Sequence, residues 1–295
     1  MSRLIAKLES KDVELRYTEQ YGYLQDLLKT LEISEASQGL VFSKTSMQVQ
    51  HISRLNPRAI FFKVDTHVGW IRGSSLIEIS TADPRLGAVF YQFDMLPWRV
   101  KLRRINDECL GCHASSMTQG IPGHTVRSVF PTADGSLDVR RESFVTSHAS
   151  PFSERWGGWY VTGTHGDALH MGNKWLQNGI FDKSRKGNLL NLENEFDTGG
   201  YLSSHSDIVA LIVLEHQTQL LNTFTKANFS ARLMLHESVG DGLGDDKELK
   251  TKLAMIAGPV VEQLLDDQPL RVLHPESGEQ LSQLLPKTIG IIVLH

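Results

Sequence analysis

Four short segments rich in β-branched and aromatic residues constrain the fold of this chain more than any other feature. They are residues 58–64, 68–71, 76–79 and 88–93, and turn-forming Gly, Asp, Ser or Pro residues separate them. Short strands spaced in this way are typical of an antiparallel meander. The sequence therefore predicts a β-rich centre.

The segments around this centre differ in character. Leu24, Leu27 and Leu28 recur at helical spacing, so we predict that residues 1–35 are helical. Further strands are predicted at residues 39–43, 125–130 and 159–164. Residues 172–203 are rich in Gly, Asn, Asp and Ser and are predicted to be irregular.

The C-terminal part is predicted to be mainly helical. Ser204 followed by Asp207 resembles a helix-starting capping pattern, and residues 205–236 carry the apolar spacing of a long amphipathic helix. A glycine-rich loop at 240–244 precedes a second helix at about 246–266, and the last seven residues, 289–295, form an apolar, strand-like run.

Together these patterns predict an α+β fold, with a β-rich central region between an N-terminal helix and a C-terminal helical section. We expect a mixed α/β region at residues 1–203. A mainly helical section at residues 204–295 would pack on it as one globular unit.

Composition and charge limit the classes of function. Hydrophobic residues make up 40% of the 295 residues and charged residues 22%, as in soluble globular proteins. A net charge of -4 argues against a nucleic-acid binder, which normally carries a strongly basic face. The longest apolar stretch, Ile208 to Leu214, is far shorter than the ~20 residues of a membrane span.

The strongest chemical signal is the Cys-x-x-Cys-His motif at Cys109, Cys112 and His113. The chain has only these two cysteines, which excludes a disulfide scaffold. Two thiols at this spacing suit thioether bonds to both vinyl groups of one porphyrin, and the adjacent histidine suits the proximal position on the iron. We therefore predict one covalently attached haem c, with His113 as its proximal ligand.

Other interpretations of the motif stay open. The cysteines could form a redox dithiol, although the following histidine and the lack of a preceding Trp or Pro weaken this. Cys109, Cys112, His113 and His124 could bind zinc, but such sites usually take a second ligand pair from a similar knuckle. The motif could also be accidental.

The ligand on the opposite face of the iron decides between carrier and catalyst. A methionine raises the potential, a second histidine lowers it, and an open position permits catalysis. His165 and His170 are the favoured candidates because they lie among aromatic residues and glycines. His124 and His148 are further candidates.

The segment at residues 155–166 also offers side chains for a porphyrin pocket. Trp156 and Trp159 could form flat walls, or they could pack in the core beside a glycine-rich hairpin. Arg127 and Arg155 could pair with haem propionates, or they could be ordinary salt-bridge partners.

These residues predict an electron-transfer protein with one haem c and a redox partner protein, rather than an enzyme. The alternative is a haem oxidoreductase with an open distal position, since a simple carrier needs only ~100 residues. A zinc-stabilised binding module without haem is a third alternative.

Haem c is normally attached outside the cytoplasm, so we expect a periplasmic or otherwise exported protein. The first 17 residues lack the apolar core of a secretory signal. Either the export signal lies outside the sequence given or the haem interpretation is wrong. We also expect the apolar C-terminal run to mark a truncated end.

Several motifs together resemble a family of large, largely uncharacterised bacterial cytochrome c domain proteins. They are Asn56-Pro-Arg-Ala-Ile-Phe-Phe, Val68-Gly-Trp-Ile, Asp83-Pro-x-Leu-Gly-Ala-Val-Phe-Tyr, Cys109-Leu-Gly-Cys-His-Ala-Ser, Pro122-Gly-His, Arg127-Ser-Val-x-Pro, Arg155-Trp-Gly-Gly-Trp-Tyr-Val-Thr-Gly-x-His-Gly and Ser206-Asp-Ile-Val-Ala-Leu-x-Val-Leu-Glu-His216. The resemblance covers residues 10–235. It implies haem binding through Cys109, Cys112 and His113, electron transfer and an exported location.

Overall fold

The backbone forms an antiparallel sheet of seven strands with helices on both of its faces. The structure is a computed structural model that describes residues 1–97, 99–105, 107–182, 184, 187–240 and 246–265. The strands are β1 (Gly39–Val41), β2 (Arg58–Lys63), β3 (Thr66–Trp70), β4 (Leu76–Asp83), β5 (Gly87–Leu96), β6 (Arg99–Arg104), β7 (Val126–Ser128), β8 (Phe144–Thr146) and β9 (Trp159–Tyr160). The α-helices are α1 (Ser2–Glu9), α2 (Leu24–Thr30), α3 (Asp107–His113), α4 (Ile208–Gly240) and α5 (Asp246–Leu265). The predicted α+β fold class is confirmed.

The large sheet has the strand order β6-β5-β4-β3-β2-β1-β9, and each neighbouring pair is antiparallel. Strands β2 to β5 follow one another in sequence and in space, so the predicted meander is confirmed. Its register places Phe62, His67, Ser80 and Phe90 in one row across four strands. Side chains in such a row point to the same face of a sheet.

One face of the sheet forms the larger apolar core. Leu24, Leu27 and Leu28 of α2 are fully buried against strand residues of that face, including Phe61, Val68, Trp70 and Phe93. Burying each such side chain stabilises the fold by about 1.5–3 kcal/mol. This packing explains why the helical leucine spacing was visible in the sequence.

The opposite face of the sheet packs on helix α4. Leu211 and Leu214 of the helix are buried against Val41, Phe62 and Trp159 of the sheet. The helix begins at Ile208, and its cap is Asp207 rather than Ser204. The Asp207 Oδ1 accepts hydrogen bonds from the backbone N–H groups of residues 209 and 210 at 2.9 and 3.0 Å. The long helix predicted at residues 205–236 is thus confirmed, with bounds three to four residues later.

The prediction of helix throughout residues 1–35 is wrong. Helices α1 and α2 are separated by a non-helical segment in which Lys11 and Gly22 both have positive φ. Gly22 has no side chain to oppose a φ of 60°, and Thr18 pairs with it through two backbone hydrogen bonds. The segment is still part of the core, because Leu15 and Tyr23 are buried.

Two strands were absent from the predictions. β6 lies between the strand predicted at 88–93 and the Cys-x-x-Cys-His motif, where no strand was predicted, and it pairs with β5 at the edge of the sheet. Its four basic residues are typical of an edge strand. They replace the apolar pattern by which the other strands were predicted. β8 pairs only with the short β7.

The C-terminal helix α5 confirms the helix predicted at 246–266. It lies beside α4, where the Thr223 hydroxyl donates a hydrogen bond to Gln263 Oε1 at 2.6 Å. The apolar run predicted as a strand at 289–295 lies outside the described residues, and the division at residue 203 stays a prediction. Within the described part of the chain, every helix is too short or too polar to cross a membrane.

Candidate functional site

The Cys-x-x-Cys-His motif lies on helix α3, directly after the edge strand β6. Its three reactive side chains occupy positions i, i+3 and i+4, which share one face of a helix. Cys109 is buried beside Ala88 and Phe90 of β5, whereas Cys112 is exposed. Neither thiol is part of a disulfide.

His113 is held by two reciprocal hydrogen bonds to Gly123. The ring Nδ1 lies 3.0 Å from the Gly123 carbonyl oxygen, and the Gly123 N–H donates to the His113 carbonyl at 2.8 Å. A carbonyl only accepts hydrogen bonds, so Nδ1 carries the proton and the lone pair is on Nε2. Burial lowers the pKa of His113, which favours the neutral ring. A metal-binding histidine usually has this tautomer, in which the ring nitrogen that does not bind the metal donates a hydrogen bond.

Helix α4 fixes the position of this loop through Asn222. The Asn222 side chain accepts a hydrogen bond from the His124 N–H at 3.0 Å and donates one to the His124 carbonyl at 2.7 Å. Gly123 fits closely against the same side chain, because a Cβ at this position would lie 2.4 Å from Asn222 Oδ1. The Gly123 carbonyl that orients His113 is therefore held in place by helix α4.

A cavity of about 440 Å³ adjoins both cysteines and His113. Its volume falls within the range of ~300–1,000 Å³ that is usual for ligand and cofactor sites. Strands β2 to β5 form its floor, and helix α4 contributes Leu214 and Thr218. Other residues around it are Lys44, Thr45, Ser46, Met47, Arg58, Ile60, His67, Gly69, Glu78, Ser80, Phe90, Ile105, Glu108, His124, Arg127, Leu137 and Trp159.

Two buried imidazoles, His67 and His124, stand next to each other on the cavity wall, with their ring centroids 4.6 Å apart. Among the residues that the structure describes, neither ring nitrogen of His67 has a hydrogen-bond partner, and His124 Nε2 also lacks one. Burial lowers the pKa of His67 to about 4 and lowers that of His124 well below its usual value, so both rings are neutral at pH 7. An unpaired buried polar group costs about 1–3 kcal/mol, so these nitrogens require an explanation.

Charged side chains surround part of the cavity. Arg58 Nη2 forms an ion pair with Glu78 at 2.6 Å, and Lys44 forms one with Asp134 at 2.8 Å. Gly69 leaves the space that the Arg58 guanidinium occupies, since a Cβ there would lie 2.4 Å from Nη2. The cavity is therefore lined by a mixture of apolar and charged side chains, and Arg58 and Lys44 are already paired with carboxylates of the chain.

Besides the residues of the Cys-x-x-Cys-His motif, three of those predicted for the site line this cavity: His124, Arg127 and Trp159. The Trp159 Nε1–H donates a hydrogen bond to the Arg127 carbonyl at 2.9 Å, and Arg127 Nη2 donates one to Ser143 at 3.0 Å. The structure thus brings them together with the Cys-x-x-Cys-His motif.

His165 and His170, the favoured distal ligands, do not line the cavity. They form a buried pair with their Nε2 atoms 3.2 Å apart. His170 Nδ1 accepts from the Gly172 N–H, so its Nε2 carries the proton that His165 accepts, while His165 Nδ1 donates to the Ala168 carbonyl. Each ring nitrogen has a partner within the chain, which gives the pair a structural role.

Arg155, Trp156 and His148 also lie away from the cavity. Arg155 forms a buried ion pair with Glu215 at 3.1 Å and donates to the His148 carbonyl at 2.6 Å. Trp156 is fully buried against His170, with ring centroids 5.4 Å apart. For Arg155 the ordinary salt bridge, one of the two sequence interpretations, is the arrangement observed.

Sequence reasoning missed His67, which lies at the centre of β3. All five residues of β3 are buried, and among them His67 carries the only titratable side chain. A histidine inside a predicted strand of the apolar meander was the available signal.

The zinc alternative requires a cluster of metal-binding side chains. Among the described residues, no cluster of three or more His, Cys, Asp or Glu side chains has the arrangement of a metal site. The chain matches no model of a protein family, no curated protein and no solved structure, so the resemblance to cytochrome c domain proteins stays a prediction.

Proposed function

We propose that this protein is a c-type cytochrome that carries one haem on Cys109 and Cys112, with His113 as the proximal ligand, and that it transfers electrons. The hydrogen bond from His113 Nδ1 to the Gly123 carbonyl is the observation that supports this most strongly. It leaves Nε2 available beside a cavity of cofactor size, on the same helix as two free thiols.

The residues around the cavity fit a haem in chemistry as well as in volume. Each thiol would add across a vinyl group, so that sulfur bonds to one vinyl carbon and the proton goes to the other. Phe90 and Trp159 offer apolar ring surface, and Arg127 suits a propionate carboxylate. When bound, the haem supplies a one-electron redox couple.

The protein's own residues would set the redox potential of the haem and give a partner protein access to it. Buried Cys109 and Phe90 exclude water from one side of the site, and a low dielectric environment alters the potential of the iron. Cys112 is exposed, so the cofactor edge attached to it would be open to a redox partner protein. Attachment through thioethers implies maturation outside the cytoplasm, so the proposal includes an exported location.

Co-expression with an added export signal and haem-maturation machinery tests this proposal. We expect a Soret band, a sharp reduced α-band, and a protein mass increased by one haem that survives acid–acetone extraction. Replacing both cysteines by alanine should abolish covalent retention, whereas His205→Ala, which removes an exposed histidine elsewhere, should leave it intact. Zinc at one equivalent without a Soret band would instead identify the binding module.

A further inference from the structure

One peptide group connects helix α4 to the proximal ligand. The carbonyl of Gly123, which accepts the hydrogen bond from His113 Nδ1, and the N–H of His124 belong to the same peptide bond. Asn222 Oδ1 accepts a hydrogen bond from that N–H at 3.0 Å. We infer that Asn222 is a positioning residue that fixes the tautomer of His113 and lowers the potential of the haem, an inference that rests on the c-type haem proposed above.

The planarity of the peptide bond makes this connection rigid. In a trans peptide the N–H and the C=O lie in one plane and point in opposite directions, so fixing the N–H also fixes the direction of the carbonyl. Asn222 donates a second hydrogen bond from Nδ2 to the His124 carbonyl at 2.7 Å, which fixes the orientation of its own amide. Asn222 is only 4% exposed, so little water competes for these bonds.

The other backbone contacts of this loop hold the preceding peptide group. Ala88 of β5 donates its N–H to the Pro122 carbonyl at 2.8 Å. The Gly123 N–H donates to the His113 carbonyl, also at 2.8 Å. Among the described residues, the partner of the next N–H along the chain is Asn222. Glycine at position 123 has no Cβ to oppose rotation, so without Asn222 the following peptide group would be free to turn its carbonyl away from the ring.

The hydrogen bond to Nδ1 acts on the iron through the imidazole ring. A carbonyl that accepts from Nδ1–H raises the basicity of the ligating Nε2. A more basic ligand stabilises oxidised iron more than reduced iron, which lowers the potential. Hydrogen bonds in series polarise one another, so the bond from the peptide N–H to Asn222 makes the Gly123 carbonyl a stronger acceptor. Asn222 therefore acts on the iron without touching it.

The first test needs no haem. Nitrogen-15 NMR of the haem-free protein reports which ring nitrogen of His113 carries the proton, and loss of its signals in His113→Gln assigns them. We expect the Nδ1–H tautomer in the unmodified protein. In Asn222→Ala we expect a shift towards the Nε2–H tautomer, which predominates for a neutral imidazole in water. Asn228→Ala is the matched control, because this asparagine of α4 donates to the Pro84 carbonyl in the turn between β4 and β5 at 2.9 Å.

The second test uses the matured holoprotein. Asn222→Ala should retain the covalent haem and raise its midpoint potential, measured by spectroelectrochemistry, whereas Asn228→Ala should leave the potential unchanged. Asn222→Asp keeps an acceptor for the His124 N–H. It should therefore retain the Nδ1–H tautomer of His113 and a lower potential than Asn222→Ala.

The outcomes separate the two proposals. A predominant Nε2–H tautomer of His113 in the unmodified haem-free protein would overturn the role of Asn222, and this measurement holds even if a variant fails to fold. Loss of stability in Asn222→Ala without a change of tautomer or potential would also overturn it, because Asn222 would then only support the fold. Failure of the unmodified protein to retain haem rejects the c-type cytochrome, and the tautomer in the haem-free protein then shows whether Asn222 still positions the ring.

Discussion

The ring of His113 and the carbonyl of Gly123 form a hydrogen bond of 3.0 Å that joins the end of helix α3 to a loop anchored on helix α4. Gly123 has no space for a side chain, because a Cβ would lie 2.4 Å from Asn222 Oδ1. The orientation of the proposed iron ligand thus depends on a glycine outside the Cys-x-x-Cys-His motif.

Replacing Gly123 by alanine should therefore destabilise the fold by about 1–3 kcal/mol, the usual cost of an overpacked site. Urea unfolding monitored by circular dichroism measures this change. Gly111→Ala is the matched control, since nothing lies within 4 Å of a Cβ at that helical position. We expect the control to be neutral or to stabilise by up to ~1 kcal/mol, because alanine favours a helix more than glycine does. Equal effects of the two changes would refute the packing argument.

The two cysteines should differ in reactivity in protein that carries no haem. Burial raises the pKa of Cys109 to about 11, whereas Cys112 is exposed. Because the thiolate is the reacting form, iodoacetamide should modify Cys112 first, and Cys109 should react at a comparable rate only after unfolding. Mass spectrometry of the digested protein, with Cys112→Ser as a control, measures the order. Faster labelling of Cys109 in the folded protein would contradict the structure.

The buried pair of His165 and His170 should make the fold sensitive to acid. Burial, followed by the charges of His165 and Lys174, lowers the pKa of His170 from 6.5 to about 3. Between these pH values the unfolded chain binds a proton that the folded protein excludes, so stability falls as the pH decreases from 6.5 towards 3.

His170→Asn tests this contribution, because an asparagine oxygen can still accept the hydrogen bond from the Gly172 N–H. We expect the variant to reduce the slope of unfolding free energy against pH by up to about 1.4 kcal/mol per pH unit. The exposed His205→Asn should leave the slope unchanged. An unaltered slope in His170→Asn would show that this ring does not titrate as described.

Breaking the ion pair of Arg155 and Glu215 should strongly destabilise the fold. Both side chains are almost completely buried, and burial raises the pKa of Glu215 to about 7. Arg155→Met leaves a buried carboxyl without its guanidinium, which we expect to cost about 3–5 kcal/mol at pH 8. Glu248→Gln, which removes an exposed pair with Lys252, should cost no more than ~0.5 kcal/mol. Thermal unfolding of both variants provides the comparison, and similar losses would contradict the assignment.

The elements that the sequence predicted correctly are those whose burial pattern is local. The meander was recognisable because β2 to β5 are joined by short turns, and α4 because one long face is apolar. The charged edge strand β6 and the non-helical segment around Gly22 were missed, because tertiary contacts override the local pattern there.

The candidate site was predictable only in part for the same reason. Cys109, Cys112 and His113 are adjacent in the sequence, so their chemistry was visible at once. His67 and Asn222 lie far from them along the chain, and only the sheet register and the packing of α4 bring them to the cavity wall and the proximal loop. His165 and His170 resembled ligands because polar pairs and metal ligands use the same residue types.

The hydrogen bonds between His124 and Asn222 join residues 98 positions apart. During synthesis the thiols of α3 emerge well before the helix that anchors their loop, and a contact of this sequence separation forms late because loop closure is costly. Until α4 has packed against this loop, the Gly123 carbonyl that orients His113 is therefore not held in place. The sequence separation between Asn222 and His124 thus makes the fixing of the His113 ring a late step of folding.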